Sequence, residues 1–299
     1  MSREQRQTLD ETLRAAPQAA GPLPVDQMRQ GFAHFMSGFP VPDGIRRTAT
    51  ELGGRRAVRV EPDAEVRPGV ILYFHGGSFS LGSPETAMAL TAHLVRRTRV
   101  PAVSVDYRLA PEHPFPAAID DCVSAYRDLL DHEVDPADVV LAGDSAGGGL
   151  AVTTTLAARD AGLPVPAGIV AFSPGLDHTR TGASMTSKEG VDPLFTRAAM
   201  ERTGALYLNG QDPEQPLLAP AVHADLRGFP PMLLQVGTNE LLLDDSVLFA
   251  GRAIEAEVDV ILDVVAGVPH VFPAYAGVLD EADQALDRAA LFLVQHLRG

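Results

Sequence analysis

A serine enclosed by glycines is the first feature of this sequence that could do chemistry. Residues Gly143–Gly147 read G-D-S-A-G, directly after the apolar run Val139–Ala142 and before a helical pattern. A serine at a tight turn from strand to helix projects its hydroxyl away from the sheet, and the glycines leave room where the backbone crowds itself. The pattern predicts a nucleophile elbow with Ser145 as nucleophile and Asp144 beside it as a supporting residue.

A serine hydroxyl is a poor nucleophile until a base takes its proton, so a histidine is expected downstream. His270 is favoured among the nine histidines of the chain because a short loop joins it to the strand-like run Val258–Val265. Catalytic groups of a parallel sheet gather at the carboxyl ends of its strands. The other downstream or scattered histidines have no such anchor and are not favoured: His34, His93, His113, His132, His178, His223 and His296.

The base needs a carboxylate that orients it and stabilises the imidazolium. Glu240 is preferred because it lies in the predicted loop after the strand-like run Met232–Val236. Asp244 and Asp245 remain alternatives, although they fall in the following helical pattern and are expected to make surface or lid contacts. The chain order Ser145, Glu240, His270 is that of the α/β-hydrolase fold.

Backbone amides for a developing oxyanion are expected from two places. Gly76 and Gly77 follow the apolar strand Val70–Phe74 and can present N–H groups where a carbonyl oxygen gains charge. Ala146 follows the nucleophile and opens a helix, whose N-terminal dipole favours an anion. His75 is interpreted as a residue that shapes this loop rather than one that transfers a proton.

The elements that must position these residues alternate along the chain, with short apolar runs followed by longer helical patterns. This alternation predicts a mostly parallel central sheet with helices on both faces, in one α/β domain. Thr48–Glu51 and Ala57–Glu61 flank Gly53-Gly54 and predict an antiparallel hairpin at one edge. The runs and patterns are Val70–Phe74, Ala87–Arg97, Val100–Val105, Ala117–Leu130, Val139–Ala142, Gly147–Arg159, Gly168–Phe172, Met232–Val236, Leu241–Ile254, Val258–Val265 and Glu281–Leu297.

Two segments do not fit this alternation. About 60 residues separate Phe172 from Met232, far more than a usual βα loop, so an insertion over the site is expected at about 176–226. Residues 1–45 precede the first strand and are expected to form an N-terminal helical cap segment on a catalytic domain of residues 46–299. An apolar stripe in this segment could pack on the body or line an acyl pocket; it comprises Met28, Phe32, Phe35, Met36 and Phe39.

Composition excludes several classes of protein. With 24 Lys and Arg against 39 Asp and Glu, the formal net charge of −15 argues against nucleic acid or an anionic membrane surface as partner, and favours neutral or cationic substrates. Cys122, the single cysteine, cannot form an internal disulfide and is expected to be a small core residue. Neither a signal peptide nor a membrane span is indicated, which predicts a cytoplasmic protein. No cofactor is expected, and the histidine spacing does not indicate a metal site.

Together these motifs resemble the bacterial hormone-sensitive-lipase-like esterases over residues 46–299. The resemblance rests on the H-G-G run at 75–77, the G-D-S-A-G run, the surroundings of His270 and D-Y-R-L-A-P-E-H-P-F-P-A at 106–117. It implies a carboxylesterase of short- to medium-chain acyl esters, with a cap, and a possible homodimer. It also implies that Glu112 holds the H-G-G loop in place. Ser78 stands where this family usually has a third glycine, and Glu240 where it commonly has aspartate.

The same residues leave other functions open. A Ser-His-Glu triad could hydrolyse lactones, carbamates or amides, and some relatives of this fold bind small molecules without catalysis. Either alternative would use the same pocket.

Overall fold

The computed structural model describes residues 2–15 and 23–298, which form one mostly parallel sheet covered by helices. The strands run in the order β1-β2-β4-β3-β5-β6-β7-β8; β1, β2 and β4 pair antiparallel, and β3 to β8 are parallel. Their bounds are β1 Ile45–Leu52, β2 Arg55–Pro62, β3 Val70–Phe74, β4 Ala102–Val105, β5 Val139–Asp144, β6 Gly168–Phe172, β7 Met232–Asn239 and β8 Val260–Pro269. The predicted α/β-hydrolase architecture and its edge hairpin are confirmed.

Helices follow most strands and cover both faces. Their bounds are α1 Ser2–Ala15, α2 Val25–Ser37, α3 Met88–Thr98, α4 Ala117–Asp131, α5 Ala146–Asp160, α6 Ser184–Ser187, α7 Arg197–Leu208, α8 Pro220–His223, α9 Leu243–Glu255 and α10 Asp280–His296, with 3₁₀ turns at Pro136–Asp138 and Phe272–Tyr275. Within residues 2–15 and 23–298, no helix combines the length and the apolar character needed to cross a membrane.

The core has two layers because the central strands are buried on both faces. Leu72 and Phe74 of β3 face α4, α5 and α9, whereas Ile71 and Tyr73 face α3 and α10. Fully burying a leucine or phenylalanine stabilises the fold by about 1.5–3 kcal/mol, so these strands form a rigid base for the site. Cys122 is fully buried in the first layer, as expected.

Two strands reach further than the sequence pattern predicts, and this changes where the site residues sit. β7 continues to Asn239 and β8 to Pro269, with a register irregularity where their ends pair. Glu240 and His270 therefore follow their strands directly, instead of lying in loops several residues beyond them.

The segments outside the alternation lie near the carboxyl ends of the parallel strands. Leu9 and Leu13 of α1 pack with Val268 at the end of β8 and with Phe272 and Tyr275. The insertion between β6 and β7 carries α6, α7 and α8. None of the α2 residues is buried, because its apolar stripe borders a cavity rather than the core.

Candidate active site

Ser145 occupies the sharp turn between β5 and α5. Its backbone has a positive φ of 54° with ψ −119°, which costs energy for a residue with a Cβ and persists only where the surroundings enforce it. A Cβ at Gly143 would overlap the carbonyl oxygen of Gly147, and one at Gly147 would overlap that of Phe74. The elbow therefore requires glycine at both flanking positions.

The structure brings Ser145, His270 and Glu240 together from three separate strand ends. Oγ of Ser145 lies 2.9 Å from Nε2 of His270, and Nδ1 of His270 lies 2.7 Å from Oε2 of Glu240. Glu240 is completely buried and His270 is only 5% exposed. Phe195, from the insertion, packs edge-on against the His270 ring at 4.9 Å between centroids.

A residue that sequence reasoning missed fixes the glutamate. Ser173, directly after β6, donates its hydroxyl to Oε1 of Glu240 at 2.9 Å and accepts the backbone N–H of Val271 at 2.9 Å. The N–H of Gly237 also donates to Oε1 at 2.6 Å. The only sequence signal for Ser173 is its position at the end of a parallel strand next to β5.

The electrostatics of His270 reflect two opposing effects. Burial disfavours the imidazolium, but the hydrogen bond and charge of Glu240, with smaller contributions from Asp192 and Asp144, outweigh it. The pKa of His270 is therefore raised above its ordinary value of 6.5. The ring is a stronger base than a free histidine.

The alternative carboxylates have other partners. Asp244 accepts the backbone N–H of Ser184 at 2.8 Å. Asp245 is buried and accepts the N–H groups of Leu176 and Asp177 at 2.7 and 2.9 Å. The expectation of a surface role for Asp245 is therefore wrong, because its buried carboxylate, in the first turn of α9, binds the backbone of the loop after β6.

His75 is enclosed in the loop after β3. It is fully buried, stacks on Tyr107 at 4.1 Å, and its carbonyl accepts the Tyr107 hydroxyl at 2.7 Å. Burial lowers the pKa of His75 to about 4, so the ring is neutral. These contacts suit a residue that shapes the loop.

Gly76 and Gly77 sit where side chains do not fit. A Cβ at Gly76 would overlap the carboxylate of Asp144, which also accepts the Tyr73 hydroxyl at 2.8 Å. Gly77 has φ 125° and borders the same cavity as Ser145. Ser78 is left-handed at φ 53°, the conformation for which a third glycine is suited. Burial raises the pKa of Asp144 to about 6, against the effect of the Tyr73 hydrogen bond.

Glu112 differs from what the resemblance implied. Its carboxylate forms a two-pronged ion pair with Arg29 of α2 at 2.8 and 2.7 Å. Arg29 in turn donates to the carbonyls of Ser80 and Ala110, at 3.0 and 3.1 Å. Among the described residues, Glu112 therefore reaches the segment after the H-G-G run through Arg29, and the same contacts tie α2 to the body.

Two cavities meet at Ser145 and Ser78. The apolar cavity has a volume of about 200 Å³ and is bordered by α2, Leu194, Phe195, Tyr275, His270 and Gly77. The small cavity measures about 30 Å³ and lies on the Ala146 side. Its remaining lining comprises Phe79, Gly175, His178, Arg180, Met200, Thr203, Gly204 and Leu242. His270 borders only the apolar cavity.

A parallel sheet with a serine elbow after β5, an acid after β7 and a histidine after β8 defines an α/β hydrolase. The family model for the alpha/beta hydrolase fold matches residues 71–274. An acetyl-hydrolase of Streptomyces hygroscopicus is 43% identical over 223 residues, covering 75% of this chain and 74% of the relative. An esterase of Acinetobacter venetianus is 36% identical over 255 residues, covering 85% and 84%.

Solved structures agree with these relatives over nearly the whole chain. An esterase, EstE5, soaked with p-nitrophenyl butyrate, matches with a TM-score of 0.93 and 36% identity, covering 98% of each chain. A hormone-sensitive lipase from a metagenome library matches with a TM-score of 0.93 and 39% identity, covering 100% of this chain and 99% of the other. The chain belongs to the hormone-sensitive-lipase-like esterases of the α/β hydrolase fold, and is a carboxylic ester hydrolase.

Proposed function

We propose that the protein hydrolyses esters through an acyl-enzyme on Ser145, with His270 as base and Glu240 as its orienting acid. The observation that carries this is the continuous hydrogen-bonded line from Ser145 through His270 to Glu240 at 2.9 and 2.7 Å. Neutral His270 takes the hydroxyl proton on Nε2 while Oγ attacks the ester carbonyl carbon. The Glu240 carboxylate holds Nδ1–H and stabilises the imidazolium that forms.

The oxyanion of the tetrahedral intermediate is stabilised by the amides of Gly76, Gly77 and Ala146. Ala146 is the first residue of α5, so its N–H has no acceptor within the helix. Imidazolium His270 then protonates the departing alkoxide, leaving the acyl group on Ser145. A water molecule attacks this acyl-enzyme while His270 takes its proton. His270 then returns that proton to Oγ of Ser145 as the Oγ–acyl bond breaks, and the carboxylic acid is released.

The two cavities divide the ester between them. The leaving oxygen must lie within reach of Nε2 of His270, and His270 borders the apolar cavity alone. The alcohol therefore extends into the apolar cavity and the acyl group into the small one. In this arrangement α2 and the insertion act as a cap over the alcohol site, and short acyl groups are preferred.

The proposed mechanism is tested by covalent labelling and by removal of the nucleophile. A fluorophosphonate should add one equivalent to the protein, and peptide mass spectrometry should find the adduct on Ser145. Ser145→Ala should abolish labelling and lower p-nitrophenyl acetate hydrolysis on the order of 10⁴-fold or more. Labelling at another residue, or near-normal turnover by the variant, would rule out the mechanism. Absence of both labelling and turnover in the unaltered protein would favour a non-catalytic binding role.

A further inference from the structure

Two residues that line the small cavity beside Ser145 each carry a nitrogen atom without a hydrogen-bond partner among the described residues. Nη1 of Arg180 and Nδ1 of His178 are both inaccessible to solvent, and neither bonds to any group of the described residues. Both side chains line this cavity. A buried donor costs free energy when its hydrogen bond is not formed. The guanidinium group is a donor in every protonation state that proteins reach.

Arg180 also has no counter-ion at ion-pair distance among the described residues. Its guanidinium forms no ion pair with any described carboxylate. The charge of Arg180 acts on Asp245, but the carboxylates of Asp245 and Asp177 both accept backbone N–H groups of the loop. Burial raises the pKa of Asp245 to about 7, against the opposing effect of the Arg180 charge. No described carboxylate therefore pairs directly with the Arg180 guanidinium.

The backbone that carries Arg180 is held in an unusual conformation. Arg180 is left-handed at φ 56°, which an arginine adopts at an energetic cost. The carboxylate of Asp177 accepts the N–H groups of Thr179 and Thr181 at 2.8 and 3.1 Å, and also bonds to both of their hydroxyls. These contacts on either side of Arg180 fix the position of its backbone.

We propose that the small cavity recognises a short acyl group that carries an oxygen acceptor, with Arg180 and His178 as specificity-determining residues. The proposal deepens the esterase function and rests on the acyl group occupying this cavity. Burial lowers the pKa of His178 to about 3, so its neutral ring can donate from Nδ1 in one tautomer. Arg180 supplies a charge-assisted hydrogen bond, which is about twice as strong as a neutral one.

This local preference is compatible with the acidic surface. The net charge of −15 acts on a substrate from a distance and through salt, whereas Arg180 acts at hydrogen-bond range. The acceptor can therefore be a neutral ether or carbonyl oxygen, or an ionised carboxylate. Both kinds of group present a hydrogen-bond acceptor. Two pairs of substrates distinguish the neutral acceptor from the ionised one.

The experiment compares ethyl esters whose acyl groups have the same shape. Ethyl methoxyacetate replaces one methylene of ethyl butyrate by an ether oxygen. Ethyl hydrogen malonate replaces the two methyl groups of ethyl isovalerate by carboxylate oxygens. kcat/KM is measured by pH-stat, and each value is divided by the alkaline hydrolysis rate of the same ester to remove intrinsic reactivity. The unaltered enzyme should favour an acceptor-bearing ester over its hydrocarbon partner by roughly tenfold or more.

Arg180→Met should remove this advantage, because methionine keeps the stem but lacks the donors. The two esters of a pair are compared within each variant, so a general change in activity does not enter the ratio. Arg202→Met is the matched control: Arg202 is an exposed arginine on α7 that does not line either cavity. It loses the same charge and should leave both ratios unchanged. His178→Phe should reduce the advantage partly.

The outcomes distinguish the acceptor proposal from the esterase mechanism. An advantage confined to methoxyacetate identifies a neutral acceptor, one confined to malonate an ionised one, and each supports the proposal. The proposal is overturned if the unaltered enzyme shows no advantage in either pair, or if Arg180→Met retains it. The first of these results needs no variant to fold. Failure to hydrolyse all four esters and p-nitrophenyl acetate would instead overturn the esterase mechanism.

Discussion

Ser173 donates its hydroxyl to Glu240 at 2.9 Å and, through the same oxygen, accepts the backbone N–H of Val271, the residue after the histidine. One side chain thus ties together Glu240 and the loop that carries His270. Ser173→Ala should lower kcat roughly tenfold with little change in KM, because Glu240 and His270 lose their common anchor while the cavities keep their lining.

The control for this variant is Ser104→Ala. Ser104 is also a fully buried serine, but its hydroxyl has no partner among the described residues. Kinetics with p-nitrophenyl acetate and thermal unfolding should be measured on both. Equal effects of the two substitutions on kcat would show that Ser173 has no special positioning role.

The pH dependence of kcat/KM should report His270. Only the neutral ring can accept the Ser145 proton, so activity should be low in acid and rise as His270 loses its proton. Because Glu240 and the neighbouring carboxylates outweigh burial and raise the pKa of His270, the rise should be centred above pH 6.5. A flat profile from about pH 5 to 8 would contradict the assignment of His270 as base.

Glu240→Gln tests the source of that shift. A neutral amide can orient the ring but does not stabilise imidazolium, so the acid limb should move to lower pH and kcat should fall by roughly 10²- to 10⁴-fold. Asp244→Asn serves as control, because Asp244 binds the N–H of Ser184 instead of His270. In that variant the acid limb of the pH profile should stay at the same pH as in the unaltered enzyme.

Arg29 should matter for substrate binding more than for chemistry. It connects α2 to Glu112, Ser80 and Ala110, and α2 supplies one wall of the apolar cavity. Arg29→Met should raise KM several-fold with kcat within about twofold, since the exposed ion pair contributes only about 1 kcal/mol.

Arg127→Met provides the comparison for Arg29. Arg127 is an exposed arginine of α4 that borders neither cavity. Glu112→Gln should reproduce part of the Arg29 effect. If Arg29→Met lowers kcat and leaves KM unchanged, the link between α2 and the body has a role in the reaction step.

Acyl-chain length should reveal which cavity takes the acyl group. In a p-nitrophenyl series from C2 to C12, kcat/KM should be highest for the shortest acyl groups and fall at least about tenfold by C8, because overfilling a packed cavity costs 1–3 kcal/mol. Met200→Ala, which enlarges the small cavity, should move the optimum to longer chains. Phe35→Ala, in the apolar cavity, should leave it unchanged. The opposite pattern would place the acyl group under α2.

The sequence by itself determined the fold, the elbow and the three residues that meet at its centre. Ser145 could be found because an elbow needs glycines at fixed spacing, and this requirement is local. His270 and Glu240 could be found because parallel strands end at a common edge, so chain order predicts which loops converge.

Only the tertiary structure decided what surrounds these residues. Ser173, Phe195 and Arg29 carry no motif, and their partners lie 67, 75 and 83 residues away in the chain. Arg180 is equally ordinary in the sequence, and it becomes informative only because folding places it in the lining of the small cavity with Nη1 unpaired among the described residues. Backbone geometry is specified by short-range sterics. Side-chain contacts and burial depend instead on how distant segments pack, and these contacts determine substrate specificity.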